Sequence, residues 1–180
     1  MLLGLTFAYA VARGGWKFLD QLSLLPLATS PITLAFGYLI TYPVLVTTVW
    51  GIPLAHALIA FPFVTRTLLP ALRSQPNSLV GAAATLGAGP LRTLVRVELP
   101  LLAPSLAVAT AFAFAISLGE FGATLLLSRP EYATLSTAIF DRLGRPGAAN
   151  YGAALAVAVV LMALTALVML VLQRRVRTEF

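Results

Sequence analysis

The sequence predicts an all-α membrane protein, built as a polytopic bundle of helices. Hydrophobic residues make up 59% of the 180 residues and charged residues only 10%, and the mean hydropathy is +0.94. Ordinary soluble domains carry roughly 45–50% apolar and about 25% charged residues. This chain therefore has too few polar side chains to cover the surface of a soluble fold, which excludes a soluble enzyme and a disordered tail.

Four apolar segments are long enough to cross a bilayer, which takes about 20 residues of helix. We predict spans over Leu22–Tyr42, Val49–Leu72, Leu99–Leu127 and Ala153–Leu172. The second span requires Arg66 to extend its guanidinium toward the lipid headgroups. Residues 1–12 are apolar but too short to span alone. We interpret them as a partial helix: a shortened span that follows a missing upstream helix, an interfacial segment, or, least in keeping with the sequence, a signal sequence.

The basic residues predict how the chain is oriented. The net charge is +6, and Lys and Arg are enriched in the cytoplasmic loops of membrane proteins. Nine of the twelve basic residues lie in segments 13–20, 66–98 and 173–180, and the other three lie in segment 128–152. This split predicts a cytoplasmic C-terminus, a cytoplasmic loop over 74–98 and an external loop over 128–152. No basic stripe is interleaved with aromatic residues, so we do not expect nucleic-acid binding.

Proline distinguishes the first three spans from the last. A proline inside a helix frees a backbone carbonyl, which lipid cannot satisfy, so such helices tend to face a bundle interior or a cavity. Prolines lie in or at the ends of the first three spans at positions 26, 31, 53, 62, 70, 100 and 104. Span 153–172 contains none, so we expect it to face lipid. The alternative is that proline is simply common in membrane helices.

The loop between the second and third spans predicts a helical hairpin. Asn77 and Ser78 are suited to cap a short helix of small residues that runs to Leu86. Gly87 can adopt the left-handed conformation that ends a helix, and Pro90 suits the first turn of the next one. The first helix carries almost no charge. It therefore either receives another protein or lies as a connector on the headgroups.

This loop resembles the cytoplasmic signature of ABC importer permeases: Glu-Ala-Ala, three residues, Gly, nine residues, an aliphatic residue, any residue, then Leu-Pro. The corresponding residues here are Gly81, Ala82, Ala83, Gly87, Val97, Leu99 and Pro100. Gly81 stands where the family has glutamate, which removes a capping-box partner for Ser78. The resemblance implies that these residues couple the chain to an ATPase: Ala82, Ala83 and Gly87 would make the contact, and Leu99 and Pro100 would fix the loop to its helix. It also implies that the fold is of the type I importer kind.

The resemblance extends over residues 20–175. Segments 117–124 and 129–135 are similar to iron(III) and thiamine permeases, and the chain is most like the C-terminal half of such a protein. It implies one transmembrane permease domain over 1–180 in the bacterial inner membrane. The implied partners are an ABC ATPase dimer, a second permease half, an external solute-binding protein and lipid. ATP would bind to the ATPase, since this chain has no phosphate-binding loop. The expected cargo is iron(III), thiamine or another small solute.

Three residues near the end of the third span are candidates for the solute pathway. Glu120 is an acid at the far end of a long apolar stretch, flanked by Gly119 and Gly122. An acid in such a stretch is a functional candidate, although Glu120 also falls where the outer interface would begin, which favours a structural role. We expect no resident cofactor and no metal site, because the chain has one histidine and no cysteine.

His56 admits two interpretations, a hydrogen bond between helices, which we favour, or a proton relay. Paired with Glu120, it also raises the alternative of an intramembrane enzyme, although the two residues lie on different spans. A passive channel or a membrane scaffold is a further alternative. In the external loop, residues 131–143 place Tyr132, Leu135, Ile139 and Leu143 on one helical face. That helix would receive the binding protein or simply rest on lipid.

Overall fold

The structure is a computed structural model that describes residues 1–46 and 48–177. Its regular elements are helices joined by short turns. The α-helices, in chain order, are α1 Leu2–Gly14, α2 Lys17–Leu22, α3 Pro31–Thr41, α4 Pro43–Val46, α5 Gly51–Arg73, α6 Asn77–Thr85, α7 Pro90–Thr93, α8 Leu99–Gly119, α9 Gly122–Leu127, α10 Leu135–Leu143 and α11 Ala148–Arg177. This agrees with the all-α fold predicted from composition.

Helix α5 is the centre of the bundle and packs mainly against α1 and α8. Small residues allow the close approach, as is usual where membrane helices meet. Gly4 of α1 lies so near Val64 of α5 that a Cβ there would come within 2.5 Å of Val64 Cγ1. Fully buried Leu68 and Leu102 fill the centre between α5 and α8.

Among the residues described, three continuous helices are long and apolar enough to cross a membrane: Gly51–Arg73, Pro90–Gly119 and Ala148–Leu172. No residue in the apolar window of the last helix is buried, whereas nearly half of the window in α5 is. This matches the expectation that the proline-free helix faces outward. α5 continues unbroken through Pro62 and Pro70.

The predicted continuous span over 22–42 is wrong as a single helix. The chain forms a short 3₁₀ turn at Leu25–Ala28, turns at extended residues Thr29 and Ser30, and starts α3 at Pro31. The helical segments Phe18–Ala28 and Pro31–Thr41 meet at 95°. Pro31 has no N–H to continue the preceding helix and disfavours helical backbone angles at Ser30, which is extended. The first predicted span is therefore either a broken span, which would be the fourth to cross the membrane, or a re-entrant loop.

The third predicted span, 99–127, also differs from the structure. It starts earlier, because a continuous helix runs from Pro90 through a π-helical segment, Leu94–Glu98, into α8. Pro100 cannot donate to the carbonyl four residues before it, which accounts for the wider turn at this point. At the other end α8 stops at Gly119, Glu120 is extended, and the separate helix α9 begins at Gly122.

The segment predicted as an external loop, 128–152, contains a helix of its own. Helix α10 lies inside the range expected from the apolar face, and Thr134 caps it by accepting a hydrogen bond from the Thr137 amide. Helix α11 begins at Ala148, earlier than the predicted residue 153, and packs against α8 and α10. The end of the bundle that carries residues 74–98 is called here the loop end, and Glu120 and α10 lie at the opposite end.

Candidate functional site

Helix α6 forms the hairpin predicted between the second and third spans. Its C-terminus is a Schellman motif: the Ala88 amide donates to the Ala83 carbonyl at 2.9 Å and the Gly87 amide to the Ala84 carbonyl at 3.0 Å. Gly87 has φ of 77°, which confirms the predicted left-handed glycine. The predicted caps are wrong, because Pro76 is the N-cap residue and no side chain caps this helix.

The candidate coupling residues occupy two positions around this hairpin. Gly81, Ala82 and Gly87 are exposed, and open space surrounds both glycines, whereas Ala83 is buried beneath the helix. The others lie where the π-helical segment joins α8: Val97 and Leu99 are half-buried and Pro100 is exposed. Exposed apolar side chains flank the helix, above all Leu86, which is 87% exposed, and Leu91. The loop end therefore presents an apolar surface of small residues.

An ion pair that the sequence analysis did not anticipate anchors this hairpin. The Arg13 guanidinium of α1 pairs with the Glu98 carboxylate and donates to Asn77 Oδ1 at 3.0 Å. Glu98 is 2% exposed, and its carbonyl accepts from Gln75 Nε2 at 3.1 Å. One side chain thus joins α1, the start of α6 and the start of α8. The sequence signal was an acid next to Leu99, directly before the third predicted span.

A second charged cluster at the loop end joins α2 to α5. Asp20 contacts Arg66 Nη1 at 3.0 Å and Arg73 Nη2 at 3.2 Å. Arg66 therefore finds a carboxylate partner at the end of the bundle, in the direction that snorkelling predicted. Together the two clusters connect the four helices beside the hairpin, α1 to α8 and α2 to α5.

Glu120 lies at the opposite end and caps α9. Its carboxylate accepts from the Ala123 amide at 3.0 Å and from the Thr124 amide at 3.1 Å, and its residue is 8% exposed. Negative charge is favourable at a helix N-terminus, where free N–H groups converge. Glu120 and Gly119 also line a cavity of about 500 Å³ together with Pro31, Ile59 and Phe121. The residue thus has a structural role and also faces a cavity.

Gly122 does not line that cavity, although the sequence grouped it with Glu120. A Cβ at Gly122 would lie 3.0 Å from Ile32 Cγ1 and 3.4 Å from Glu120 Oε1, so the glycine allows α3 to pack against α9. At Gly119, by contrast, a Cβ would meet nothing within 4 Å. Of the three candidate pathway residues, two face the cavity and Gly122 supports its wall.

His56 forms the hydrogen bonds between helices that we favoured from the sequence. Its Nδ1 lies 2.8 Å from Ser117 Oγ of α8, and its Nε2 lies 2.9 Å from Thr124 Oγ1 of α9. The same Nε2 is 3.6 Å from Glu120 Oε2, so the fold brings together two residues that the sequence placed on different spans. His56 and Ser117 line a second cavity, of about 420 Å³, on the other side of this contact.

The end of the bundle near α10 carries a basic cleft of about 480 Å³. Arg129, Arg142 and Arg145 line it together with Ser128 and Asp141. Arg145 pairs with Asp141 at 2.7 Å, so the cleft keeps an excess of positive charge. Clefts with one sign of charge raise the local concentration of oppositely charged ions.

A bundle of apolar helices with a small-residue hairpin at one end and cavities at the other defines a multi-pass membrane transport component. The family model for the binding-protein-dependent transport system inner membrane component matches residues 1–178. The chain therefore belongs to this family, the permease components of ABC importers. It is a transport subunit of the inner membrane, in agreement with the resemblance of its loop.

Three relatives illustrate the family. The putative 2-aminoethylphosphonate transport system permease protein PhnV of Salmonella typhimurium is 33% identical over 181 residues, which cover 97% of this chain and 67% of that protein. The molybdenum transport system permease protein ModB of Escherichia coli K12 is 31% identical over 91% of this chain and 81% of its own length. The sulfate transport system permease protein CysT of S. typhimurium is 35% identical over 93% and 67%. None of these three names refers to iron or thiamine.

Proposed function

We propose that this chain forms part of the solute pathway of an ATP-driven importer and couples to a cytoplasmic ATPase dimer through residues 78–100. In this proposal the loop end and the C-terminus lie in the cytoplasm, as the distribution of basic residues favours. The basic cleft then lies outside, where a solute-binding protein delivers the solute. A second permease half, identical or homologous, completes the pathway.

The observation that supports the proposal is that helix α6 is both exposed to a partner and anchored to neighbouring helices. It offers Gly81, Ala82 and Gly87 on an exposed face, and small side chains let a partner approach the backbone closely. It is also held firmly, because Arg13 joins its first residue, Asn77, to Glu98. A partner that moves α6 would therefore move α1 and α8 as well, since packed and ion-paired elements shift as units.

The remaining coupling residues act on the position of α6 rather than on the partner. Ala83 is buried under the helix, and Val97, Leu99 and Pro100 lie within the continuous helix Pro90–Gly119, where its π-helical segment joins α8. In this proposal the continuous helix carries the displacement to its other end, where Gly119 and Glu120 line the cavity.

For the cargo, we propose a small oxyanion or phosphonate. Two observations support this class over iron(III) and thiamine, which the resemblance of segments 117–124 and 129–135 suggested. Relatives that cover nearly the whole chain are named for 2-aminoethylphosphonate, molybdenum and sulfate transport. The cleft around Arg129, Arg142 and Arg145 favours anions over cations by its charge.

Uptake into proteoliposomes tests this proposal. The chain is reconstituted with the ABC ATPase, second permease half and solute-binding protein of its own gene cluster, and uptake of sulfate, molybdate and 2-aminoethylphosphonate is measured with and without ATP. We expect ATP-dependent uptake of one of the three. Uptake that runs equally without ATP would instead identify a passive channel. Turnover of a substrate by the chain without any ATPase would identify an intramembrane enzyme.

A further inference from the structure

The break between α8 and α9 is crossed by a chain of four polar side chains. Ser117 of α8 contacts His56 of α5, His56 contacts Thr124 of α9, and Thr124 Oγ1 lies 3.0 Å from Glu120 Oε2 in the break itself. His56, Thr124 and Glu120 are each at least nine-tenths buried. Leaving such a group unpaired in an apolar interior is costly, so the arrangement fixes the three helices relative to one another.

The direction of these hydrogen bonds follows from the groups present. The Thr124 hydroxyl donates its single proton to Glu120, through either the carboxylate or the carbonyl oxygen. It must then accept from His56, so Nε2 carries the ring proton. His56 Nδ1 is left as an acceptor for the Ser117 hydroxyl. The network is therefore satisfied by a neutral histidine, and each ring nitrogen holds a different helix.

Backbone hydrogen bonds do not fix the angle at this break. Glu120 has extended backbone angles (φ −70°, ψ 123°), so the ladder of α8 does not continue into α9. Ser136 of α10 adds a further side-chain link, since its Oγ donates to the Glu120 carbonyl at 3.0 Å. Helices α5, α8, α9 and α10 thus meet at one residue through side chains.

We infer that His56 is a positioning residue for transport: its bond to Thr124 sets the angle of α9 and α10 against α5, and thereby the width of the cavity lined by Glu120. This inference rests on the proposed function, in which that cavity belongs to the solute pathway. His56 stands between the two cavities, lining one itself while its partner Glu120 lines the other. A change in the His56–Thr124 contact therefore alters both.

Substitutions at these positions separate the two halves of the network. His56→Gln places the side-chain amide near the position of the histidine Nε2 and keeps a donor for Thr124. His56→Asn places the amide near the position of Nδ1 only, so it keeps the link to Ser117 and loses the link to Thr124. Thr124→Val removes the hydroxyl and Thr124→Ser restores it. Thr110→Val is the matched control, because the Thr110 hydroxyl donates only to Leu106 O of its own helix.

The readout that does not depend on transport is the accessibility of the cavity. The chain contains no cysteine, so Ile116→Cys, in the cavity wall, gives a single labelling site for a water-soluble thiol reagent. Ala148→Cys, at the exposed start of α11 and within the segment predicted to lie outside the membrane, is the control for the reactivity of the reagent. Labelling is measured in the reconstituted complex, and maximal uptake rate and half-saturating solute concentration are measured on the same variants without the cysteine.

We expect His56→Asn and Thr124→Val to change the labelling rate at position 116 and to lower the maximal uptake rate about tenfold, the size expected for one lost buried hydrogen bond. Half-saturation should stay within about twofold, because the solute contacts themselves are unchanged. His56→Gln, Thr124→Ser and Thr110→Val should all behave like the parent chain, and labelling at position 148 should not change.

Equal labelling and uptake rates in His56→Asn and His56→Gln would overturn the inference. Unchanged labelling at position 116 in Thr124→Val would overturn it as well. If the parent chain shows no ATP-dependent uptake, the proposed function fails, yet the labelling rates still decide whether His56 positions α9. If uptake is ATP-dependent and labelling does not respond to Thr124→Val, only the present inference fails.

Discussion

Arg13 and Glu98 form an ion pair although 85 residues separate them in the chain. Arg13 ends the first helix, and Glu98 stands at the start of the long helix α8. The Glu98 side chain is almost fully buried, whereas that of Arg13 keeps some contact with solvent. Burial makes this pair structurally important, because removal of one partner leaves the other charge uncompensated.

We expect Arg13→Ala to lower the free energy of unfolding by about 2–3 kcal/mol, somewhat below the value for a fully buried pair because Arg13 is partly exposed. The double variant Arg13→Ala, Glu98→Gln should recover part of the loss, because no buried charge is then left unpaired. Thermal unfolding in detergent measures both.

The matched control is Arg145→Ala, which breaks the exposed pair with Asp141. Exposed pairs contribute little, so its effect should stay within about 0.5 kcal/mol. An equal loss in both alanine variants would contradict the role given to burial.

Gly87→Ala should destabilise the end of α6 by about 1–2 kcal/mol, because the residue has φ of 77°, which a Cβ disfavours. There is open space around it, so the cost comes from the backbone and not from a clash. A bulky residue such as tryptophan should abolish ATP-dependent uptake while membrane insertion persists. Gly89→Ala is the control: Gly89 has φ of −68° and is equally unobstructed.

Substitution of Gly81 should change the stability of α6 in the opposite direction from substitution of Gly87. It lies within α6 and has open space around it, so Gly81→Ala should stabilise the helix by about 0.5–1 kcal/mol and leave uptake intact. Gly81→Trp keeps the fold but blocks the exposed face, and we expect co-purification of the ATPase to fall at least about tenfold. Normal ATPase association in the tryptophan variant would rule out this face as the coupling contact.

The two glycines beside Glu120 should respond differently to the same substitution. Gly122→Ala brings a Cβ to 3.0 Å from Ile32 Cγ1 and 3.4 Å from Glu120 Oε1 and should cost about 1–3 kcal/mol, because both side chains must move. Gly119→Ala meets no atom within 4 Å and should cost less than about 1 kcal/mol. Unfolding curves of the two variants, compared at equal detergent concentration, test this difference.

The basic cleft should influence uptake through long-range electrostatics. Arg129 is exposed, and Arg129→Gln should raise the half-saturating concentration of an anionic solute about threefold at low ionic strength. The effect should disappear at about 1 M salt, where charges are screened beyond about 3 Å. An increase that persists at high salt would indicate a direct contact with the solute instead.

Much of the architecture was predictable because it depends on local properties. The apolar length of residues 49–72 and 153–172 predicts spanning helices without knowledge of any neighbour, and the structure has candidate spans at Gly51–Arg73 and Ala148–Leu172. The hairpin was equally predictable, because Gly87 and Pro90 each act through their own backbone conformation. The caps of α6 were not, because Asn77 faces Arg13 of another helix and is drawn into a contact that the local pattern does not contain.

A helical membrane protein with a small-residue hairpin is predictable from the sequence alone, because hydropathy and turn chemistry depend on a few neighbouring residues. The link of that hairpin to importers came from its resemblance to the family signature. Only the tertiary structure decided where the helices break and which polar groups meet. At the break around Glu120, contacts come from other helices: His56 Nε2 lies 3.6 Å from its carboxylate, and Ser136 Oγ donates to its carbonyl at 3.0 Å. Likewise, His56 reaches Thr124 across 68 residues, a pairing that exists only once α5 and α9 are packed together.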